Sequence, residues 1–271
     1  MAETSIEWAT TVWNPTTGCD RVSPGCDHCY ALTMARRLKA MGSAKYQHDG
    51  DPRTSGPGFG LTLHPDTLTT PLGWRQPRRV FVNSMSDLFH ARVPLAFVQR
   101  VFEVIAATPQ HTYMVLTKRA GRFPRVAPRL TWPGNLWVGV SVESAEYLAR
   151  VDDLRTVPAA VRFISAEPLL GPLDRLDLTG IDWLIAGGES GPGARPLSLD
   201  WVRDLIARCD RWGTAPFVKQ LGAVWGRQHG ADSKGGDWTY WPQDLRIREY
   251  PLSAEAVSPQ GAVDQPQPSG R

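Results

Sequence analysis

Three of the four cysteines of this chain lie close together, in the stretch TGCDRVSPGCDHCYA. Six residues separate Cys19 from Cys26, and two separate Cys26 from Cys29. A C-x2-C pair is a common chelating unit, because both sulfurs can reach one metal centre from a single turn. Pro24 and Gly25 favour such a turn just before the pair. The spacing therefore predicts a metal centre bound by three thiolates.

The number of protein ligands distinguishes between kinds of metal centre. A structural zinc ion is usually bound by four side chains. A cubane iron–sulfur cluster bound by three cysteines leaves one iron free to bind a small molecule, and we favour this interpretation for Cys19, Cys26 and Cys29. Two alternatives stay open at this point. One is a zinc site completed by His28, another histidine or Cys209, and the other is that the thiols have no special role.

The composition is that of a globular protein with a slight excess of positive charge. The chain has 271 residues, 42% of them apolar, and a formal net charge of +3. This length fits one large domain or two small ones, and the charge is compatible with an anionic partner. The sequence shows neither a secretory signal nor an apolar stretch long enough to cross a bilayer. We therefore expect a cytoplasmic protein without membrane contact, in which clustered thiols are more often metal ligands than disulfides.

Continuous apolar runs bounded by breaker residues predict a series of buried parallel strands. These runs lie at 80–84, 112–118, 136–143, 161–168, 183–190 and 215–222, with an earlier one within 7–15. Apolar stripes at helical spacing separate them at 31–41, after Pro94, after Ser144 and after Ser198. Residues 169–181 are too rich in Pro, Gly and Asp for a helix.

The alternation of strand and helix predicts an α/β fold with right-handed crossovers. Six or seven such units favour a partial (β/α) barrel with mostly parallel strands and helices outside, although a doubly wound sheet fits the same pattern. We expect a single domain over 1–250 with an inserted loop or hairpin at 43–65. Residues 251–271 are rich in Ser, Pro, Gln and Gly, which predicts a disordered tail.

Polar residues follow the predicted strands, where a parallel barrel gathers its site. They are Asp87 and His90, Lys118 and Arg119, Ser141 and Glu143, Glu167, Glu189 and Ser190, and Lys219 and Gln220. Ordinary solvated strand ends would also be polar. The glycine-rich stretch GGESGPGARP, with Arg195, suits an anion cradle or a tight structural turn. The basic stretches LTKRAGR and QPRR suit either a nucleic-acid backbone or solvated surface.

The sequence resembles a phage-associated family of three-cysteine proteins related to radical S-adenosylmethionine (SAM) enzymes. The resemblance covers about Ile6 to Gly222 and rests on IEWATTVWNPTTGCDRVSPGCDHCYA, RRVFVNSMSDLFH, VLTKR, VGVSVE, AEPLLGP and GGESGPGARP. It implies a radical SAM-like partial barrel with a [4Fe-4S] cluster at its mouth. Cys19, Cys26 and Cys29 would be the cluster ligands.

The resemblance also implies a second cofactor. In radical SAM enzymes, SAM chelates the open iron, and an electron from the cluster breaks one of its carbon–sulfur bonds to give a 5′-deoxyadenosyl radical. A Gly-Gly-Glu motif often contacts the SAM amino group after the second strand, whereas here it follows about the sixth. We therefore expect SAM to contact polar groups at several strand ends, namely Asn83, Ser84, Ser86, Ser141, Gly187, Gly188 and Glu189.

The remaining polar residues of the rim are assigned to the reaction and the substrate. Lys118, Glu143 and Glu167 are the catalytic candidates. We expect Asp87, His90, Arg195 and Lys219 to bind the substrate. The resemblance favours a small molecule, a nucleobase, a nucleotide or a modified DNA base as substrate, nucleic acid as a possible partner, and an external electron donor. The alternatives are a metal-stabilised binding protein without radical chemistry and a cluster enzyme that does not use SAM.

Overall fold

The structure is a computed structural model that describes Thr4 and residues 6–251. Nine strands lie in this part of the chain. They are β1 (Thr11–Trp13), β2 (Thr16–Thr17), β3 (Thr62–Leu63), β4 (Arg79–Val82), β5 (Thr112–Thr117), β6 (Leu136–Ser141), β7 (Val161–Ala166), β8 (Trp183–Gly187) and β9 (Ala215–Gln220).

Seven of these strands form one parallel sheet, in the order β1-β4-β5-β6-β7-β8-β9. The order follows the chain, and the sheet curves into a half-barrel with helices around it. The predicted partial (β/α) barrel is therefore confirmed. A doubly wound sheet would reverse its strand order about a central strand, and this sheet does not.

Five of the six helices within residues 6–251 lie between strands, and the last follows β9. They are α1 (Tyr30–Ala40), α2 (Leu95–Ala106), α3 (Phe123–Val126), α4 (Ala149–Arg155), α5 (Leu199–Trp212) and α6 (Gly222–His229). The apolar stripes predict α1, α2, α4 and α5. The helix expected after Ser144 begins as a 3-10 turn, Ala145–Tyr147, before α4. Residues 169–181 contain no helix, as predicted. The sequence did not indicate α3, which has four residues, or α6, which contains two glycines. No helix of the described chain is both long and apolar enough to span a membrane.

The two faces of the sheet bury different side chains, because successive residues of a strand point to opposite faces. Aliphatic residues such as Val80, Val115 and Leu184 pack outward against the helices. A separate cluster fills the interior and is mostly aromatic: Trp8, Ala9, Phe81, Met114, Trp137, Val161, Phe163, Trp183, Ile185 and Phe217. Tyr250 stacks on Trp183 with ring centroids 5.3 Å apart. We call this cluster the aromatic floor.

Inward positions nearer the carboxyl ends of the strands are polar instead. Phe163 is followed on the same face by Ser165, and Phe217 by Lys219. A Cβ atom on Gly139 would lie 2.4 Å from the Phe163 ring, so this glycine makes room for the floor. The interior therefore changes from apolar to polar toward the carboxyl ends of the strands.

The segment 43–65 covers the cysteines. Its strand β3 pairs antiparallel with β2, which immediately precedes Gly18 and Cys19. Phe59 packs in a small apolar cluster that includes Cys19 and Cys29. Gly18 has φ +82°, and a Cβ there would lie 2.2 Å from the Gly60 carbonyl oxygen, so only glycine fits. The tail predicted over 251–271 lies, apart from its first residue, outside the described residues.

Candidate functional site

A cavity of about 250 Å³ opens at the carboxyl ends of the strands and contains all three clustered cysteines in its wall. The aromatic floor reaches it through Trp8 and Phe81. Ten of the predicted site residues also line it: Asn83, Ser84, Ser86, Asp87, Lys118, Ser141, Glu167, Gly188, Glu189 and Lys219. Four others do not, namely His90, Glu143, Gly187 and Arg195.

The three cysteines are free thiols and are half-buried. Burial raises the pKa of Cys19 to about 12, and burial also raises the pKa of Cys29. An Arg119 guanidinium N–H donates to Cys19 Sγ at 3.5 Å. Among the described residues, no three His, Cys, Asp or Glu side chains form a group that could hold a metal ion. The cysteines are nevertheless the side chains of this cavity suited to an iron–sulfur cluster, whose ligands bind different irons.

The Cys19 end of the cysteine loop is anchored through Asp20. His90 Nε2 donates to Asp20 Oδ2 at 2.9 Å, and Arg92 donates to the same oxygen at 3.0 Å. Thr54 Oγ1 donates to Asp20 Oδ1 at 2.8 Å. Burial alone would raise the pKa of Asp20, but hydrogen bonds from Thr54 and His90 outweigh it and lower the pKa. His90, predicted to bind substrate, instead holds the residue next to Cys19.

The Cys26–Cys29 end is anchored through Glu189, which follows β8. His28 Nδ1 donates to Glu189 Oε2 at 3.0 Å, and Arg195 donates to both carboxylate oxygens. Arg195 also donates to the Pro24 carbonyl at 2.8 Å. Burial would raise the pKa of Glu189, but the hydrogen bonds from Arg195 and His28 lower it to about 2. The predicted SAM contact Glu189 and the predicted substrate contact Arg195 are thus paired with each other beside the C-x2-C turn.

The segment after β4 supports the start of the cysteine loop. Ser86 Oγ donates to the Gly18 carbonyl at 2.6 Å, and Ser84 Oγ donates to Asn14 Oδ1 at 3.2 Å. Asn83 has φ +62°, a conformation that asparagine tolerates, and its Oδ1 accepts from the Thr16 amide at 3.2 Å. Its buried Nδ2 has no hydrogen-bond partner among the described residues. The serine hydroxyls are therefore already bonded within the protein, whereas Asn83 keeps one unpaired donor in the cavity wall.

Two lysines bring positive charge to the cavity in different ways. Lys219 Nζ lies 2.9 Å from Glu167 Oε1, and Ser165 Oγ donates to the other oxygen of Glu167 at 3.1 Å. A Cβ on Gly187 would lie 2.8 Å from Glu167 Oε1, so Gly187 leaves space for that carboxylate. Burial would lower the pKa of Lys219, but the neighbouring Glu167 raises it. Lys118 lines the cavity with no ion pair among the described residues.

Glu143 and Asp87 are held inside the protein. Glu143 is fully buried, and Arg150 Nη1 donates to its Oε2 at 2.8 Å. A Cβ on Gly25 would lie 3.1 Å from Glu143 Cδ, which places Glu143 directly behind the cysteine loop and outside the cavity. Asp87 accepts from Thr117 Oγ1 at 2.7 and 2.9 Å. The structure therefore gives Glu143 no contact with the cavity and gives Asp87 a network within the protein.

Sequence reasoning placed Arg119 only in the polar rim and in a basic stretch, and it did not name Asp20 or Ser165. Asp20 binds His90, and Arg119 donates to the Asp20 carbonyl and to Cys19 Sγ. Ser165 donates to Glu167 and so orients its carboxylate. The signal for Ser165 was available, because it lies two residues before Glu167 on the same face of a strand. The pairing of His28 with Glu189 had no local signal, since 161 positions separate the two residues.

Comparison with known proteins establishes the family of this chain. A family model described as "Protein of unknown function (DUF5131)" matches residues 3–249, and the chain belongs to this family. A comparison with curated proteins finds no match.

Several solved structures of spore photoproduct lyase resemble this chain. A cysteine-to-serine mutant of that enzyme matches 80% of this chain and 78% of its own, with a TM-score of 0.52 and 13% identity. A tyrosine-to-phenylalanine mutant matches 75% and 74%, with a TM-score of 0.48 and 11% identity. The lyase complexed with dinucleoside spore photoproduct also matches 75% and 74%, with a TM-score of 0.45 and 14% identity.

The first of these similarities defines the class of fold. The half-barrel shares the partial TIM-like fold of spore photoproduct lyase. At 13% identity the likeness is one of fold alone. The comparisons do not support the expected association with phages.

Proposed function

We propose that this protein is a radical SAM-type enzyme that acts on a nucleobase, free or within a nucleic acid. One observation carries the proposal: three free cysteines line a single cavity at the mouth of a half-barrel of the radical SAM type. Spore photoproduct lyase, which shares this fold, is a radical SAM enzyme of DNA repair, and this supports a nucleobase as the substrate.

The residues present fit a [4Fe-4S] cluster with one open iron. Thiolates are the ligands that iron–sulfur clusters use, and Cys19, Cys26 and Cys29 are not consumed in disulfides. The Arg119 N–H that points at Cys19 Sγ would stabilise negative charge on a bound sulfur. When bound, the reduced cluster supplies the electron that cleaves SAM and starts radical chemistry.

The protein's own side chains would bind and shield the two ligands. Lys118 offers an ammonium to a carboxylate or phosphate, while the Lys219–Glu167 pair offers both charges to a zwitterion. The aromatic floor beneath them excludes water, which strengthens these electrostatic contacts. We assign no proton transfer to Glu143, because it does not reach the cavity.

Anaerobic purification tests the proposal directly. We expect a brown protein with about four irons per chain. Dithionite, standing in for the electron donor, should then convert SAM to 5′-deoxyadenosine. Cys26→Ala should lose both iron and product. Cys209→Ala is the matched control, because Cys209 is a free cysteine buried on α5, away from the cavity.

Three results would contradict the proposal. Stoichiometric zinc without iron would favour a metal-stabilised binding protein. An iron-loaded protein that leaves SAM intact would favour a different cluster reaction. Full iron content in the Cys26→Ala variant, with a circular dichroism spectrum like that of the control, would remove Cys26 from the ligand set.

A further inference from the structure

A second cavity, of about 290 Å³, lies near the cysteine cavity and is dominated by arginines. Two segments form it, one after β4 and one after β5. Its lining residues are Phe89, Ala91, Arg119, Gly121, Arg122 and Arg125, and none of them is acidic. We call this cavity the arginine groove.

Two of the three arginines have no acidic partner in the part of the chain that the structure describes. Arg122 donates to the carbonyl oxygens of His90 at 2.6 Å and Val93 at 2.7 Å, which fixes its position but does not neutralise it. Arg125 is exposed and forms no ion pair among the described residues. Burial lowers the pKa of Arg122, and the charge of Arg125 lowers it further. The groove thus holds like charges that repel one another.

The nearest acidic groups offset only part of this charge. Asp87 Oδ2 lies 3.7 Å from Arg119 Nε and pairs with that guanidinium, and its charge partly opposes the lowering of the Arg122 pKa. Asp153 Oδ2 would lie 3.8 Å from a Cβ on Gly121 and borders the groove on that side. Planar guanidinium groups match the geometry of phosphate oxygens. The positive charges of Arg122 and Arg125, which have no ion pair among the described residues, therefore suit an anion.

The groove and the cysteine cavity share a wall. Lys118 lines the cysteine cavity, and the next residue, Arg119, lines the groove. Arg119 Nη2 also donates to the Asp20 carbonyl at 2.7 Å, beside Cys19. A polyanion in the groove would therefore pass next to the cysteine cavity.

We propose that the arginine groove binds the phosphodiester backbone of a nucleic acid whose target base enters the cysteine cavity. The inference rests on the proposed function for its choice of substrate. Enzymes that modify a base must take it out of the stack or act on a single strand, while contacts to phosphates fix the register. The groove supplies such contacts, and the cavity accommodates the base.

Binding of a short fluorescein-labelled single-stranded DNA to anaerobically purified protein tests the inference by anisotropy. Arg125→Glu should weaken binding about tenfold or more, since it replaces attraction by repulsion. Arg125→Ala should reduce the salt slope of the affinity by about 1, the loss of one phosphate contact. Arg125→Lys should retain most of the affinity. Arg211→Glu is the matched control, because Arg211 is an exposed arginine on α5 that lines neither cavity.

Equal affinities of the Arg125→Glu and Arg211→Glu variants would overturn the inference, as would wild-type protein that does not bind DNA at low salt. Inorganic phosphate that binds in an Arg125-dependent way, with DNA binding independent of Arg125, would identify a free-anion site and reject the nucleic acid. The assay does not require SAM cleavage. If Arg125 affects DNA binding but no 5′-deoxyadenosine forms, the groove inference stands and the proposed function is rejected. If 5′-deoxyadenosine forms but Arg125 does not affect DNA binding, the proposed function stands and the groove inference is rejected.

Discussion

The two ends of the cysteine loop are held by carboxylates of different origin. At the Cys19 end the carboxylate, Asp20, belongs to the loop itself and accepts hydrogen bonds from His90, Arg92 and Thr54. At the Cys26–Cys29 end the carboxylate, Glu189, comes from the segment after β8 and binds His28 of the loop. One anchor is part of the loop, and the other reaches it from a distant strand.

This difference explains how one short loop spans the mouth of the half-barrel. The first anchor ties it to the segment after β4 and to the segment 43–65, and the second ties it to the segment after β8. Between the anchors the loop lies at the surface, where Val22 is 41% exposed. The relative positions of the three sulfurs therefore depend on both carboxylates, and each anchor can be removed by itself.

Removal of the Glu189 charge should have the largest effect. The pKa of Glu189 falls from 4.5 to about 2 in the folded protein, so its charge contributes on the order of 3 kcal/mol at neutral pH. Glu189→Gln should lower the free energy of unfolding by about that amount and reduce iron retention. Urea denaturation and iron analysis measure both. Glu103→Gln, at an exposed position of α2, is the control, and equal losses in the two variants would contradict the anchor.

The same anchor predicts a pH dependence with a defined sign. A carboxylate whose pKa is depressed on folding stabilises the protein above its unfolded pKa, and this contribution disappears as the pH falls through the folded pKa. The difference in unfolding free energy between the wild type and Glu189→Gln should therefore be constant above about pH 5 and shrink toward pH 2. A difference that grows on acidification would refute the assignment.

Loss of the Asp20 charge should have a smaller effect, because this side chain is 24% exposed. Asp20→Asn leaves the buried His90 and the exposed Arg92 without their anion, which should cost about 2 kcal/mol of unfolding free energy, mostly through His90. Chemical denaturation measures the loss. The control is Asp174→Asn, an exposed position outside both cavities. A loss no larger than that of the control would show that Asp20 does not anchor the loop.

The coupling between the two anchors should be the smallest effect. Asp20 and Glu189 share no hydrogen-bond partner among the described residues. The double variant Asp20→Asn, Glu189→Gln should thus lose the sum of the single losses within about 0.5 kcal/mol. A double-mutant cycle by urea denaturation tests this. A coupling well above that value would mean that the loop transmits strain from one end to the other.

The strands were predictable because buried parallel strands are continuous apolar runs. The polar residues that follow each run predict which residues lie at the mouth of the half-barrel. The run predicted at 161–168, for example, contains β7, and Glu167 beyond its end lies in the cavity. The run at 136–143 contains β6, but Glu143 beyond its end lies outside the cavity. Its position depends on Arg150 of α4, a contact that no strand pattern encodes.

The roles of the paired residues were not predictable for a related reason. Glu189 and Arg195 each look like a ligand contact when the loop is read alone, since both are polar and follow a strand. In the folded chain they neutralise each other and bind the C-x2-C turn. Sequence patterns report which residues reach the mouth, whereas the partner of each residue depends on the path of several loops.

The aromatic floor has a kinetic consequence. Trp8 and its neighbours fill the interior below the cysteine cavity, so they block passage of a molecule through that end of the half-barrel. Of two molecules that enter from the mouth, the one that binds deeper must bind first and dissociate last. Exchange of the inner molecule would then wait for departure of the outer one, and turnover would follow a compulsory sequence.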